Sequence, residues 1–188
     1  MNREMILEAS AQIIRQKGYH AASMQDIADA VNLQKASLYH HFSSKQDILL
    51  ALLDQALDLL IERVSVVLSL PLPADEKLRQ AMRVYLGCLE EHAALASVLL
   101  LEHRSLNPEY HDRHFPRRDR FERLWRDLIQ EGVETGEFHS ADPAMTARAL
   151  LGVMNWTITW FHPDGRYSSG QISDNFAALF LDGLRGQS

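Results

Sequence analysis

Two stretches concentrate side chains that could do chemistry. The first is LQKASLYHHF, residues 33–42, which sets Lys35, Ser37, Tyr39, His40 and His41 close together. Adjacent histidines could be metal ligands, catalytic bases or groups that meet a polyanion. Neighbouring helix positions diverge by about 100°, so His40 and His41 are poorly placed to share one ion. The second stretch is PEYHDRHFPRRDRFER, residues 108–123, with His111, His114, Asp112, Arg113, Arg117, Arg118 and Arg120. His111 and His114 are three apart and could help to hold a metal. The same spacing describes a solvated polar face with ion pairs. A third reading is the mouth of an anionic-ligand site, since planar guanidinium groups suit phosphates and carboxylates, with Arg117 and Arg118 as first candidates.

The elements that must carry these groups read as helices throughout. Ile6, Ala9, Ile13 and Ile14 form a stripe that predicts a helix over about 3–17, stopped by Gly18. SMQD at Ser23 has the form of a capping box and opens a second helix over about 24–31. Asn32 is the turn residue, because asparagine tolerates left-handed backbone. A third helix follows over about 34–41. SKQD at Ser44 repeats the cap and starts a fourth, carrying Ile48, Leu49, Leu52, Leu53, Ala56, Leu57 and Leu60. LPLPAD, residues 70–75, breaks the pattern. Further helices are expected at about 75–91, 93–104, 109–132, 143–161 and 171–184. Asp142-Pro143 marks one start, and Ser168 with Gln171 forms a third capping box. No strand-like alternation, repeat or low-complexity segment occurs.

Three short helices with a tight turn between the second and third form a helix-turn-helix unit. The fold class is therefore all-α: a helix-turn-helix domain over 1–47 and a larger helical domain over 48–188. The net charge of −6 lies wholly in the second part. Residues 1–47 balance Arg3, Arg15, Lys17, Lys35 and Lys45 against Glu4, Glu8, Asp26, Asp29 and Asp47. A phosphate responds to this local balance, because the Debye length is about 8 Å at physiological salt. No apolar run approaches the roughly 20 residues that span a bilayer, and MNREMILEAS does not read as a secretory signal. A cytoplasmic protein with no membrane partner is expected.

No catalytic arrangement stands out. There is no GxSxG, glycine-rich phosphate loop or HExxH. Cys88, the single cysteine, shares a stripe with Tyr85 and Leu89 and reads as a packed thiol. The expectation is a protein that is not an enzyme, with no cofactor and no metal.

Residues 18–49, GYHAASMQDIADAVNLQKASLYHHFSSKQDIL, resemble the tetracycline-repressor (TetR) family of bacterial regulators. The agreement is an aromatic after glycine, a Ser cap, acid-Ile-Ala, Lys-x-Ser-Leu-Tyr-x-His-Phe, then Ser-x-Lys. Asn32 stands where the family usually has glycine, Gln34 where it often has a serine cap, and Ala36 where glycine is common. The resemblance implies a homodimer on a palindromic double-stranded operator, with a small-molecule effector in the C-terminal domain that releases DNA. The C-terminal stretch RFERLWRDLIQEGVETGEF…MNWTITWFHPDG…ISDNFAALFLDGL resembles acyl-CoA-responsive members. The last two helices are the family's dimerisation pair, to which Leu150, Met154, Ile158, Phe176, Leu179, Phe180 and Leu184 would contribute an apolar interface.

On a helical wheel, Leu38 and Phe42 share the docking face and His40 lies opposite, with Ala36 and Ser37 beside it. Ala36, Ser37 and His40 are thus placed for base edges and Tyr39 for a phosphate. His41 could contact DNA or bond within the domain. Lys35 falls nearer the inward side but can reach past the helix end. Lys45 begins the next helix as a phosphate contact, and Ser23 is a cap that could also touch a phosphate. Trp125, Trp156 and Trp160 read either as core and interface or as a pocket wall for a flat or apolar effector. Met82, Tyr85, Leu89, Leu99, Phe121 and Met154 could line the same cavity, with Arg117 and Arg118 at its mouth. Two other functions compete. A DNA-binding architectural or adaptor protein would lack a cavity of a few hundred Å³. An enzyme with a helix-turn-helix appendage would place a metal or an acid-base pair at His111 and His114.

Overall fold

The structure, a computed structural model, describes residues 3–184. Among these there are nine α-helices and no strand: α1 Arg3–Lys17, α2 Met24–Ala30, α3 Lys35–His41, α4 Lys45–Leu68, α5 Ala74–Glu91, α6 Ala93–Ser97, α7 His111–Glu134, α8 Pro143–Trp156 and α9 Ser169–Leu184. No single one is long and apolar enough to cross a membrane. The local signals sit where the chain chemistry requires them. Ser23 closes a full capping box with Asp26, and Asp47 N–H donates to Ser44 Oγ. Asp142 accepts the Met145 N–H ahead of Pro143, and Ser168 and Gln171 exchange hydrogen bonds at the start of α9. Asn32 adopts φ +53°, the left-handed geometry of the α2–α3 turn.

Two helices depart from expectation. The segment expected as one helix over 93–104 is α-helical only to Ser97. It continues as a π-helical turn, Val98–Glu102, and a 3₁₀ turn, His103–Ser105. The helix expected to reach 161 ends as α-helix at Trp156. There the Thr157 hydroxyl donates to Met154 O and that of Thr159 to Trp156 O, and the backbone tightens to 3₁₀ over Thr157–Thr159. Such hydroxyls compete with the helical amides for the same carbonyls.

The described residues divide into two compact units: 3–58 with 92–117, and 59–91 with 118–184. The boundary drawn from sequence at residue 47 falls inside α4, and a stretch from the middle of the chain joins the head. In the first unit α1 packs against α2 and α6, and α2 against α3. Its core is Ile6, Ile14, Ile27, Ala28, Leu38, Ile48, Leu49 and Leu53, all essentially solvent-free. The Gln46 amide ties the middle stretch to the head. It donates to Tyr19 Oη (2.7 Å) and Ser105 O (2.8 Å) and accepts the Asn107 N–H (2.8 Å). Tyr110 Oη adds a bond to Asp47 (3.0 Å).

In the second unit α5 runs along α9. Leu78, Met82, Tyr85, Trp125, Ile129, Leu150, Met154 and Leu181 form its core. Gly132 is required here: a β-carbon at that position would stand 2.1 Å from the Phe138 ring, which turns back over α7 after the Gly136 turn.

Candidate nucleic-acid interface

The helix α3 is held by one face and open on the other. Leu38 and Phe42 are buried, whereas Lys35, Ala36, Tyr39, His40 and His41 are exposed and Ser37 is half-buried. Tyr39 is 45% exposed. Gln34 makes no side-chain cap, as its residue type implies. Arg3 lies over the Phe42 ring at 4.7 Å and braces the end of α3. The polar groups of LQKASLYHHF are therefore presented together on a small, firmly docked helix.

Ser23 and Lys45 depart from that picture. The Ser23 hydroxyl accepts the Asp26 N–H (3.1 Å) and gives its only proton to Asp26 Oδ2 (2.7 Å). It is a cap with no proton left for a phosphate. Lys45 is expected from sequence to meet DNA, but its ammonium donates to Tyr19 O (2.8 Å), Ala22 O (2.7 Å) and His20 O (3.5 Å) and lies 4.4 Å from the Tyr19 ring centre. Those acceptors are more than twenty residues away in sequence, so no local pattern announces them. Gln46 escaped notice for the same reason.

The cap carries a pH consequence. The Lys17 ammonium, 2.7 Å away, and then the Ser23 hydroxyl and amide hold the Asp26 carboxyl at about 2, below its ordinary 3.8. The unfolded chain thus binds this proton first. The contribution is complete above the ordinary value and is lost as pH falls from there through about 2. Asp26→Asn should flatten the loss of melting temperature across that acid interval and leave its slope near neutrality unchanged. An undiminished acid slope in the variant would show that Asp26 is not its source.

The histidine-arginine stretch also differs from a solvated face. His114 is 2% exposed, with Nδ1 3.6 Å from Asp54 Oδ1. His111 stacks on Phe115 at 4.4 Å, and its Nε2 lies 3.2 Å from Leu106 O. The two histidines thus have separate partners, and no cluster of metal-ligating groups occurs among the described residues. Arg117 is engaged by Asp54 (3.2 Å) and Asp58 (3.1 Å). It edges a groove of ≈510 Å³ shared with Arg3, Glu4, Gln55 and both aspartates. Three carboxylates against two guanidinium groups make that groove a poor anion site. Arg118, in the second unit, lies 3.8 Å from Asp119 on the surface. Both guanidinium groups expected at an anionic mouth thus have carboxylate neighbours.

The expected effector residues separate into two sets. Met82, Tyr85, Leu89, Phe121, Trp125 and Met154 are all buried in the second unit. Tyr85, Phe121 and Trp125 form a mutual ring cluster, with centroids 5.8–6.2 Å apart. Tyr85 Oη donates to Asn155 Oδ1, and burial pushes its phenol well up. Leu99 belongs instead to the first unit. Trp156 and Trp160 are surface residues, 66% and 42% exposed, and do not join the cluster. A cleft between Leu86, Leu89, Thr157, Phe161, Ser169 and Ile172 has a volume of only ≈10 Å³. The expected interface residues divide as well. Leu150, Met154 and Leu184 are buried within the chain, while Ile158, Phe176 and Phe180 are half-buried. Leu179, at 72% exposure, Val153, Trp156 and Met145 are the large apolar groups on the outer faces of α8 and α9. Helical spacing alone does not separate the inner stripe of these helices from the outer one.

Comparison with known proteins places these features in company. A profile described as "Bacterial regulatory proteins, tetR family" matches residues 6–52, and one described as "Tetracyclin repressor-like, C-terminal domain" matches residues 71–184. The HTH-type transcriptional repressor KstR2 of Mycolicibacterium smegmatis is 28% identical over 185 residues, covering 97% of this chain and 90% of its own. The regulator PfmR of Thermus thermophilus superposes with a TM-score of 0.87 at 37% identity, over 94% of this chain and 97% of that one. AibR, solved in complex with isovaleryl coenzyme A and operator DNA, superposes with a TM-score of 0.88 at 30% identity, over 94% and 96%.

Proposed function

The chain belongs to the TetR family of bacterial regulatory proteins, and on that premise we propose that it is a ligand-responsive transcriptional repressor. It acts as a homodimer on a palindromic operator and is released by a small-molecule effector, an acyl-CoA. The observation that carries the DNA reading is α3: Leu38 and Phe42 anchor it, and Ala36, Tyr39 and His40 stand exposed on the other side. Ala36, Ser37 and His40 face base edges, Tyr39 grips a phosphate, and Lys35 and His41 flank the groove. Repression follows the naming of KstR2, and the acyl-CoA follows the ligand seen with AibR.

The outer faces of α8 and α9, where Val153, Trp156 and Leu179 are exposed, support the dimer. Apolar patches rimmed by polar residues mark association sites. Two heads read a palindrome when they sit about 34–36 Å apart, one helical turn of DNA. An effector that favours another spacing lowers operator affinity, and by linkage operator DNA lowers effector affinity equally.

The head assignment is tested by selection on randomised DNA followed by titration at fixed salt. His40→Ala should change the preferred bases, by about 1 kcal/mol at the affected position. Tyr39→Phe should weaken binding to every sequence about fivefold, with preference intact. Wild-type affinity and preference in both variants would remove α3 from the groove.

A further inference from the structure

Four buried polar side-chain atoms of the described residues have no hydrogen-bond partner in the protein, and they differ in kind: Asp54 Oδ1, His114 Nδ1, Ser173 Oγ and Trp125 Nε1. Asp54 and His114 face each other at 3.6 Å and need only a small approach to pair. A serine hydroxyl within a helix, such as Ser173, can turn to the carbonyl one turn back. The indole N–H has neither escape. It is a donor only, and its direction is set by the ring plane. That ring is 1% exposed and held edge-on by Tyr85 (5.9 Å, 87°) and Phe121 (6.2 Å, 80°). The Tyr85 hydroxyl, which donates to Asn155 Oδ1, is not within hydrogen-bonding geometry of the indole N–H. Buried donors almost always have an acceptor, so this one calls for an acceptor from outside the chain.

We propose that Trp125 Nε1–H is the group that recognises the effector, by donating to the carbonyl oxygen of its acyl thioester. The proposal rests on the acyl-CoA reading above and adds to it the contact that reads the acyl group. The chemistry of the surroundings selects the acceptor. Three aromatic rings suit an apolar acyl chain. A carboxylate would carry a charge into them unpaired, whereas a thioester carbonyl is a neutral acceptor that asks for one donor. All three rings are buried, Trp125 to 1% exposure, so the acyl group enters by parting them. Met82 and Met154, buried in the same unit, are unbranched and repack readily to make that room.

The test compares isovaleryl-CoA with its thioether analogue S-(3-methylbutyl)-CoA, which lacks only the carbonyl oxygen, by titration calorimetry on the full chain. The wild-type protein should bind the thioester about tenfold more tightly than the thioether, as one buried hydrogen bond allows. In Trp125→Phe that preference should fall to within about twofold, with thioether affinity kept, which also reports that the variant is folded. Equal binding of the two ligands by the wild-type protein, or a preference that survives Trp125→Phe, would overturn the contact. Binding of neither would instead overturn the acyl-CoA reading, and the contact with it. The wild-type comparison stands even if the variant misfolds.

Discussion

Leu179→Glu should leave each protomer folded, convert the dimer to monomer and reduce operator affinity by at least about 100-fold. The fold should survive because the side chain is 72% exposed and none of the protomer's core depends on it. The dimer should not, because in a two-fold interface each outer face of α9 meets the same region of its partner, and the substitution buries two unpaired carboxylates there. Affinity falls because two linked heads gain a large effective concentration that a single head lacks. Sedimentation velocity reads the assembly, circular dichroism the fold, and a mobility shift the operator. Leu150→Ala is the contrasting variant. Leu150 is fully buried in the protomer, so its truncation should lower the melting temperature, by roughly 3 kcal/mol of stability, without splitting the dimer. If Leu179→Glu remains dimeric, the outer face of α9 is not the interface.

Lys45→Met should destabilise the head by about 2 kcal/mol while leaving the salt dependence of operator binding unchanged. Methionine keeps the apolar stem and removes the ammonium that gathers Tyr19 O, His20 O and Ala22 O. Those three carbonyls belong to the link that leads into Ser23 and α2, so the loss disorders the approach to the helix-turn-helix unit rather than a contact with DNA. The logarithmic salt slope separates the two cases, since each lost phosphate contact lowers it by about 0.9. Lys35→Ala should show that loss, because Lys35 is exposed on α3. A slope reduced by Lys45→Met as much as by Lys35→Ala would return Lys45 to the phosphate backbone.

These two residues also show where sequence reasoning succeeds and where it stops. The caps at Ser23, Ser44, Asp142 and Ser168, and the left-handed Asn32, were legible because each acts within a few residues of itself. The burial of Leu38 and Phe42 was legible because their spacing repeats the helical period. The same period does not reveal that Leu150 and Met154 are fully buried within the chain. It says which residues of α8 share a face, but in a chain with two apolar directions it does not say which one the chain itself buries. Trp156 lies on the other side of that same helix, and only packing separates them.

The chain's own chemistry determined the helices, the turn between α2 and α3 and the set of side chains that α3 presents. Those depend on hydrogen bonds and side-chain periods spanning three or four residues. Tertiary structure alone decided that Lys45 and Gln46 hold the head together, that the stretch 92–117 belongs to it, and that His114 is buried beside Asp54. It also decided that the Trp125 indole N–H lies buried without an acceptor. Each of these pairs groups far apart in the chain, or denies a group its partner. An ammonium, an amide or an indole carries no local preference among distant carbonyls until folding brings one within reach.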